Sequence, residues 1–182
     1  MKTQTMHPNT QLLLDAWSQI DGTTGARSKG PLTNNHPDLI DALFVIERQA
    51  DGLWLFRNAG SALNTVLGRA LQDHDFLHFW TGPDRKMISG FLDAVLENRL
   101  PGIAEANGET LTGKQIEVEL AFTPIGHHMA SQARPRLLCL YQTLSSESTL
   151  NGRPLWRHRL TALHPPVSRS PAPYLKLVAN NN

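Results

Sequence analysis

The spacing of apolar positions divides the chain into segments of different period. In "TQLLLDAWSQI", Leu13, Trp17 and Ile20 recur at i, i+4 and i+7, while Asp15 and Gln19 lie off that line. The spacing predicts an amphipathic helix capped by Asn9 or Thr10. "ALFVIER", 42–48, is apolar on both sides and partly β-branched, the pattern of a buried strand. "LWLFRNA", 53–59, returns after the Asp-Gly turn of "QADG", so the pair reads as a hairpin. A short helix follows over 61–67, with Ser61 as its cap and Gly68 as its stop. "LQDHDFLHFW", 71–80, supplies a helical turn or two. The longest helix is "PDRKMISGFLDAVLENR", 83–99, where Pro83 suits a first turn and Phe91, Leu92 and Val95 recur at helical spacing.

The last third changes to a period of two. Ile116, Val118, Leu120 and Phe122 alternate with Glu117, Glu119 and Ala121, giving one apolar face and one solvated face. "PGIAEANGET" is a weaker strand, and "RLLCLYQTL", 136–144, is a further one after the loop "GHHMASQARP". A hairpin, a cluster of helices and three more strands predict an α+β fold: a five-stranded antiparallel sheet with helices on one face. Three regions result: helix and linker over 1–37, a folded domain over 38–146, and a proline-rich tail over 147–182. The tail reads as flexible, with one short helix at 155–163, and is expected to contribute little to folding.

Length and charge refine this picture. The 182 residues suit one domain plus extensions, and 40% hydrophobic content suffices for one core. The formal net charge of +1 argues against a nucleic-acid binder. Residues 151–182 carry Arg153, Arg157, Arg159, Arg169 and Lys176 and no acid, so an acidic domain precedes a basic tail. In "RPLWRHRL" and beyond, Trp156, Leu160 and Leu163 fall at i, i+4 and i+7. A docking stripe for a protein partner is favoured there over nucleic acid or an acidic membrane. The single Cys139 excludes an internal disulfide and a cysteine zinc site. The first residues lack a secretion-signal pattern and no apolar run approaches the ~20 residues of a membrane span, so a cytoplasmic location is expected.

Candidate chemistry is sparse. His74 and His78 stand at metal-ligand spacing if helical, but no third ligand accompanies them. They read as surface histidines, with a haem axial role as the weaker reading, and no metal is expected. His127 and His128 read as a solvated turn. Asp84 fits a helix N-terminus, Glu117 and Glu119 a solvated strand face, and Cys139 an inert core thiol. Phosphate-loop, dinucleotide and nucleophile-elbow motifs are absent. No catalytic residue is assigned and no enzymatic activity is expected.

The stretch "LWLFRNAGSALNTVLGRAL" places Arg57 near the end of a strand, before Ala59-Gly60-Ser61 and a helix that stops at Gly68-Arg69. Together with Phe76-Leu77-His78-Phe79-Trp80, Trp17, Glu119 and Pro124, it resembles a mostly alphaproteobacterial subfamily of PAS domains. The resemblance covers about residues 10–144. One feature departs from it: the linker "PLTNNHPDL" lacks the arginine usual before the first strand. Gly60 is expected to permit a sharp turn through positive φ. Arg57 is expected to bond loop carbonyls or a carboxylate such as Glu117 or Glu119.

The resemblance implies a single-domain PAS regulator in bacterial signalling. No output domain is seen in the sequence, so it would act through contacts with other signalling proteins. The alternative it implies is a sensor of haem or a small apolar ligand. The pocket candidates between the long helix and the sheet are Phe79, Trp80, Phe91, Val95, Val118 and Leu120. A homodimer through the N-terminal helix is expected, because the Leu13, Trp17 and Ile20 stripe needs cover. Trp17, Trp156 and Leu160 are the candidate partner-binding residues.

Overall fold

The computed structural model describes residues 6–21, 36–125 and 134–165. The helices are α1 (Pro8–Asp21), α2 (Pro37–Ala42), α3 (Ser61–Val66) and α4 (Gly82–Asn98). The strands are β1 (Leu43–Arg48), β2 (Trp54–Ala59), β3 (Gly102–Thr110), β4 (Gln115–Ile125), β5 (Arg136–Thr143) and β6 (Leu155–His164). They form one antiparallel sheet in the order β2-β1-β5-β4-β3-β6. The α+β class is as expected, but the sheet has six strands instead of five. The linker residues 22–35 and the His127-His128 loop lie outside the described residues, as does the chain after Pro165.

The sheet divides two cores. On one face, Phe44, Ile46, Trp54, Phe56, Leu120 and Phe122 pack with α3, the 3-10 turn Phe76–Phe79 and α4. Phe56 meets Phe76 and Phe79 edge-on, with ring centroids 5.7 and 6.2 Å apart, the arrangement that aromatic quadrupoles favour. On the other face, Leu13 of α1 and Leu39 and Ala42 of α2 pack on Ala121 and Leu140.

The N-terminal helix is therefore used within its own chain. Leu13 is buried on the sheet, and the Trp17 indole Nε1–H donates to the Pro124 carbonyl at 2.8 Å. Thr10 is no cap. It is buried inside α1 and its hydroxyl donates to Glu119, which also accepts from the His7 backbone N–H. Glu119, expected on a solvated face, is 3% exposed for this reason. Glu117 on the same face is exposed. Leu13 and Trp17 are thus used within the chain, which weakens the ground for a homodimer through α1, while the Ile20 side chain lies outside the described residues.

The sixth strand overturns the reading of 155–163 as a helix in a flexible tail. β6 pairs with β3 from Ile103↔His164 to Thr110↔Leu155. The core face of β3 carries only Gly102, Ala104, Ala106, Gly108 and Thr110. Those small side chains let β6 fold close over the core: a Cβ on Gly108 would lie 2.6 Å from a Leu155 methyl. The sheet curls so far that Tyr141 on β5 reaches His158 on β6 across two intervening strands. The free edge of β6 is partly closed by a bridge from Trp80 to His158, and by Asp84 at the start of α4, which accepts from the Leu160 N–H at 3.1 Å. Asp84 is buried and does more there than favour a helix N-terminus.

The β2–α3 junction answers to sterics rather than to an unusual φ. Gly60 sits at φ −65, ordinary backbone, and takes the N-cap place expected for Ser61. An added Cβ there would meet the Asp41 carbonyl oxygen at 2.1 Å. Gly68 is the residue that uses positive φ, at +66, to end the α3 turn. Arg57 is the extra residue of a β-bulge, since Val45 pairs with Asn58 and Ile46 with Phe56. Its guanidinium bonds Glu47 at 2.9 and 3.1 Å and also pairs with Asp73. The partner is thus Glu47 on the adjacent strand, not Glu117 or Glu119. Arg57→Ala is expected to cost about 1–3 kcal/mol in urea unfolding, and Arg57→Lys to recover only part of it, because lysine lacks the fork.

Candidate functional site

The six pocket candidates do converge, but they fill the interior instead of lining an open chamber. Phe79, Trp80, Phe91, Val95, Val118 and Leu120 are all buried in one cluster with β1, β2 and β5. Phe79, Trp80 and Leu120 border a cavity of only about 10 Å³, near the lower limit for one water molecule. Haem does not fit this packed interior. His74 and His78, the weaker haem candidates, are exposed.

The cavity holds a polar group that the sequence reading missed. His158 of β6 is 2% exposed, and its Nε2 lies 2.7 Å from the Tyr141 hydroxyl. Its ring stands 5.3 Å from that of Trp80, centroid to centroid. His158 Nδ1 and Trp80 Nε1 are buried and complete no hydrogen bond. Leaving buried polar atoms unmatched is costly; Trp54 Nε1 and Asn64 Oδ1 are unmatched as well, but His158 and Trp80 are the two such residues that border the cavity. Burial in this aromatic setting pushes the His158 imidazole down to about 4, only partly offset by the nearby Phe79 carbonyl. Burial also pushes the Tyr141 hydroxyl well up. The imidazole is thus neutral near pH 7, with the tyrosine protonated beside it.

A second, larger hollow lies on the surface between α2, α3 and β5. It measures about 200 Å³ and is lined by Asp38, Asp41, Leu63, Val66, Tyr141 and Glu147, among others. Asp38, Asp41 and Glu147 are exposed and form no salt bridge among the described residues. Tyr141 and Leu63 line both hollows, so they are the wall between the acidic cleft and the His158 cavity.

Opposite this region, Glu47 is 4% exposed and gathers Arg57, Arg136 and Gln49. Burial pushes its carboxyl up, but hydrogen bonds from Gln49, Arg136 and Arg57 outweigh that and hold it at about 2. Burial pushes the Cys139 thiol well up, which keeps it unreactive. No group of three metal-ligating side chains occurs among the described residues.

These titrations give a signed pH dependence. The unfolded chain takes a proton at His158 near 6.5, whereas the folded one resists until about 4. Stability therefore falls as pH drops through that window, by roughly 3 kcal/mol. Glu47 adds a second loss between 4.5 and about 2, where only the unfolded carboxylate is being protonated. Urea midpoints measured from pH 7.5 to 4.5 are expected to decline steadily, and the decline is expected to flatten in His158→Phe.

The partner-binding candidates are not brought together. Trp17 is half-buried against β4. Leu160 and Leu163 pack on the main core, while Trp156 is bulged outward, 37% exposed, with the Arg157 guanidinium over its ring. The helical stripe does not exist. Of the three candidates, Trp156 is the most exposed, and Trp17 and Leu160 are half-buried.

A curled antiparallel sheet with α3, a 3-10 turn and α4 over a small, partly polar interior is consistent with a PAS-like α+β fold. The family model described as PAS domain matches residues 5–142, and the chain belongs to that family. The matched span ends before β6, so His158 stands on a strand beyond it. Trp17, Glu119 and Pro124, part of the resemblance read from the sequence, are the residues that dock α1. No curated protein matches the chain. Among the described residues, no helix is long and apolar enough to cross a membrane.

Proposed function

We propose that the protein is a non-enzymatic, cytoplasmic PAS regulator that works by associating with other signalling proteins. The supporting observation is the packed interior: with about 10 Å³ free beneath α3 and the 3-10 turn, a bulky resident cofactor has no room, and information must leave through surfaces. Trp156 is the exposed aromatic best placed for such a contact. The test is cross-linking in the native host, with partners identified by mass spectrometry, using wild type and Trp156→Ser of equal melting temperature. A signalling protein cross-linked to wild type and lost in the variant supports the reading. Protein purified from the host with a stoichiometric small molecule and no cross-linked partner overturns it.

A second reading, a small-ligand sensor, draws support from the unmatched His158 Nδ1 and Trp80 Nε1. An absorbance spectrum and a native mass of the host-purified protein test for a retained ligand.

A further inference from the structure

We propose that Tyr141 is the door of a closed ligand site whose polar end is His158 and Trp80, and that the site takes a small, uncharged ring compound bearing one hydrogen-bond acceptor. The inference rests on the second, small-ligand reading above. It follows from three placements. First, the buried Trp80 Nε1–H is a donor with no acceptor, and it stands beside the His158 ring, whose polar neighbours are the Tyr141 hydroxyl and the Phe79 carbonyl. Because an indole nitrogen only donates, the missing group must accept.

Second, the same Tyr141 ring borders the inner cavity and the 200 Å³ outer cleft. It is held inward by packing in the main core and by one hydrogen-bonding latch, the 2.7 Å contact between its hydroxyl and His158 Nε2. Turning the ring outward into the cleft leaves its own volume behind as a chamber, walled by Phe44, Phe79 and Trp80. The cleft thus supplies the space that the core lacks. Third, the approach to the door runs past Asp38, Asp41 and Glu147. Their carboxylates repel anions, so carboxylates and phosphates are selected against at the mouth while neutral molecules pass.

The test uses the 15N-labelled full chain and three probes of similar size: acetophenone, ethylbenzene and benzoate. The reporter is the Trp80 indole N–H signal, assigned by its loss in Trp80→Phe. Acetophenone, with a carbonyl acceptor, is expected to shift that signal saturably. Ethylbenzene should bind more weakly because it offers no acceptor, and benzoate should leave the signal in place. Tyr141→Phe removes the latch while keeping the ring, and is expected to tighten acetophenone binding about fivefold. Acetophenone binding at Trp80 with no gain in Tyr141→Phe overturns the door and leaves the sensor reading standing. Equal binding of benzoate overturns the assigned ligand class. No shift of Trp80 by any probe, in wild type or in Tyr141→Phe, overturns both the site and the sensor reading.

Discussion

A chain cut after Leu150 is expected to lose cooperative folding, whereas one cut after Pro165 serves as the reference that keeps the strand. The reason lies in what β6 covers. Leu155 is fully buried and His158 nearly so, and Leu160 and Leu163 pack on the main core. Removing one buried leucine alone costs about 2–5 kcal/mol. The cut also breaks hydrogen bonds. The Tyr141 hydroxyl loses His158, and the buried Asp84 loses the Leu160 N–H. Each such hydrogen bond contributes about 0.5–1.5 kcal/mol, since the freed groups turn to the water that replaces β6. The whole of β3 becomes an unpaired edge, with its glycines and alanines open to water. A domain holds only about 5–15 kcal/mol in reserve, so the sum consumes most of it. Circular dichroism melts of the two truncations decide the matter. Matching transitions would mean that β6 is dispensable and that the sheet is complete with five strands.

The error that made β6 look like a tail has a physical source. Trp156, Leu160 and Leu163 fall at helical spacing because β6 carries two bulges, near Trp156 and Thr161. Each bulge inserts one residue and breaks the period of two, so inward positions recur as Leu155, His158, Leu160 and Leu163. A doubly bulged strand thus imitates a helix in one dimension. β3 was read as weak for a related reason: its core face is made of glycine and alanine, whose small side chains give little hydrophobic signal yet are what a close strand crossing requires. The strands β1, β2, β4 and β5 were legible, as was α4, because their large apolar side chains mark them even where, as at Arg57 in β2, a bulge interrupts the register.

The site was half legible. The six apolar residues are buried in the main core, since periodicity fixes which face turns inward, but only Phe79, Trp80 and Leu120 border the small cavity. Tyr141 and His158 were not visible, because their meeting depends on the curl of the sheet over two strands, a long-range fact that local pattern does not carry. Arg57 shows the same division. Its structural role was readable from its position before a turn, but its partner Glu47 was not, because the bulge redirects the side chain.

Gly60→Ala is expected to be nearly as damaging as Gly60→Val, at about 3 kcal/mol or more. Both add the one atom that matters. A Cβ at this position would lie 2.1 Å from the Asp41 carbonyl oxygen and 2.4 Å from its carbon. Those are backbone atoms at the end of α2, so no side chain can rotate away to make room. Ordinary overpacking costs about 1–3 kcal/mol when neighbours can yield. Here the yielding element is α2 itself, which holds Leu39 and Ala42 in the core beneath α1. The Gly60 N–H also donates to the Leu43 carbonyl at 2.8 Å, fixing the two segments together. Asparagine separates this cause from backbone strain. It tolerates positive φ, so it would rescue a position where φ was the constraint. At Gly60, with φ −65, Gly60→Asn should be as poor as alanine. At Gly113, with φ +80 and open space around it, Gly113→Asn should be mild and Gly113→Val worse. If Gly60→Ala melts within a degree or two of wild type, the contact with Asp41 is not what requires glycine at this junction.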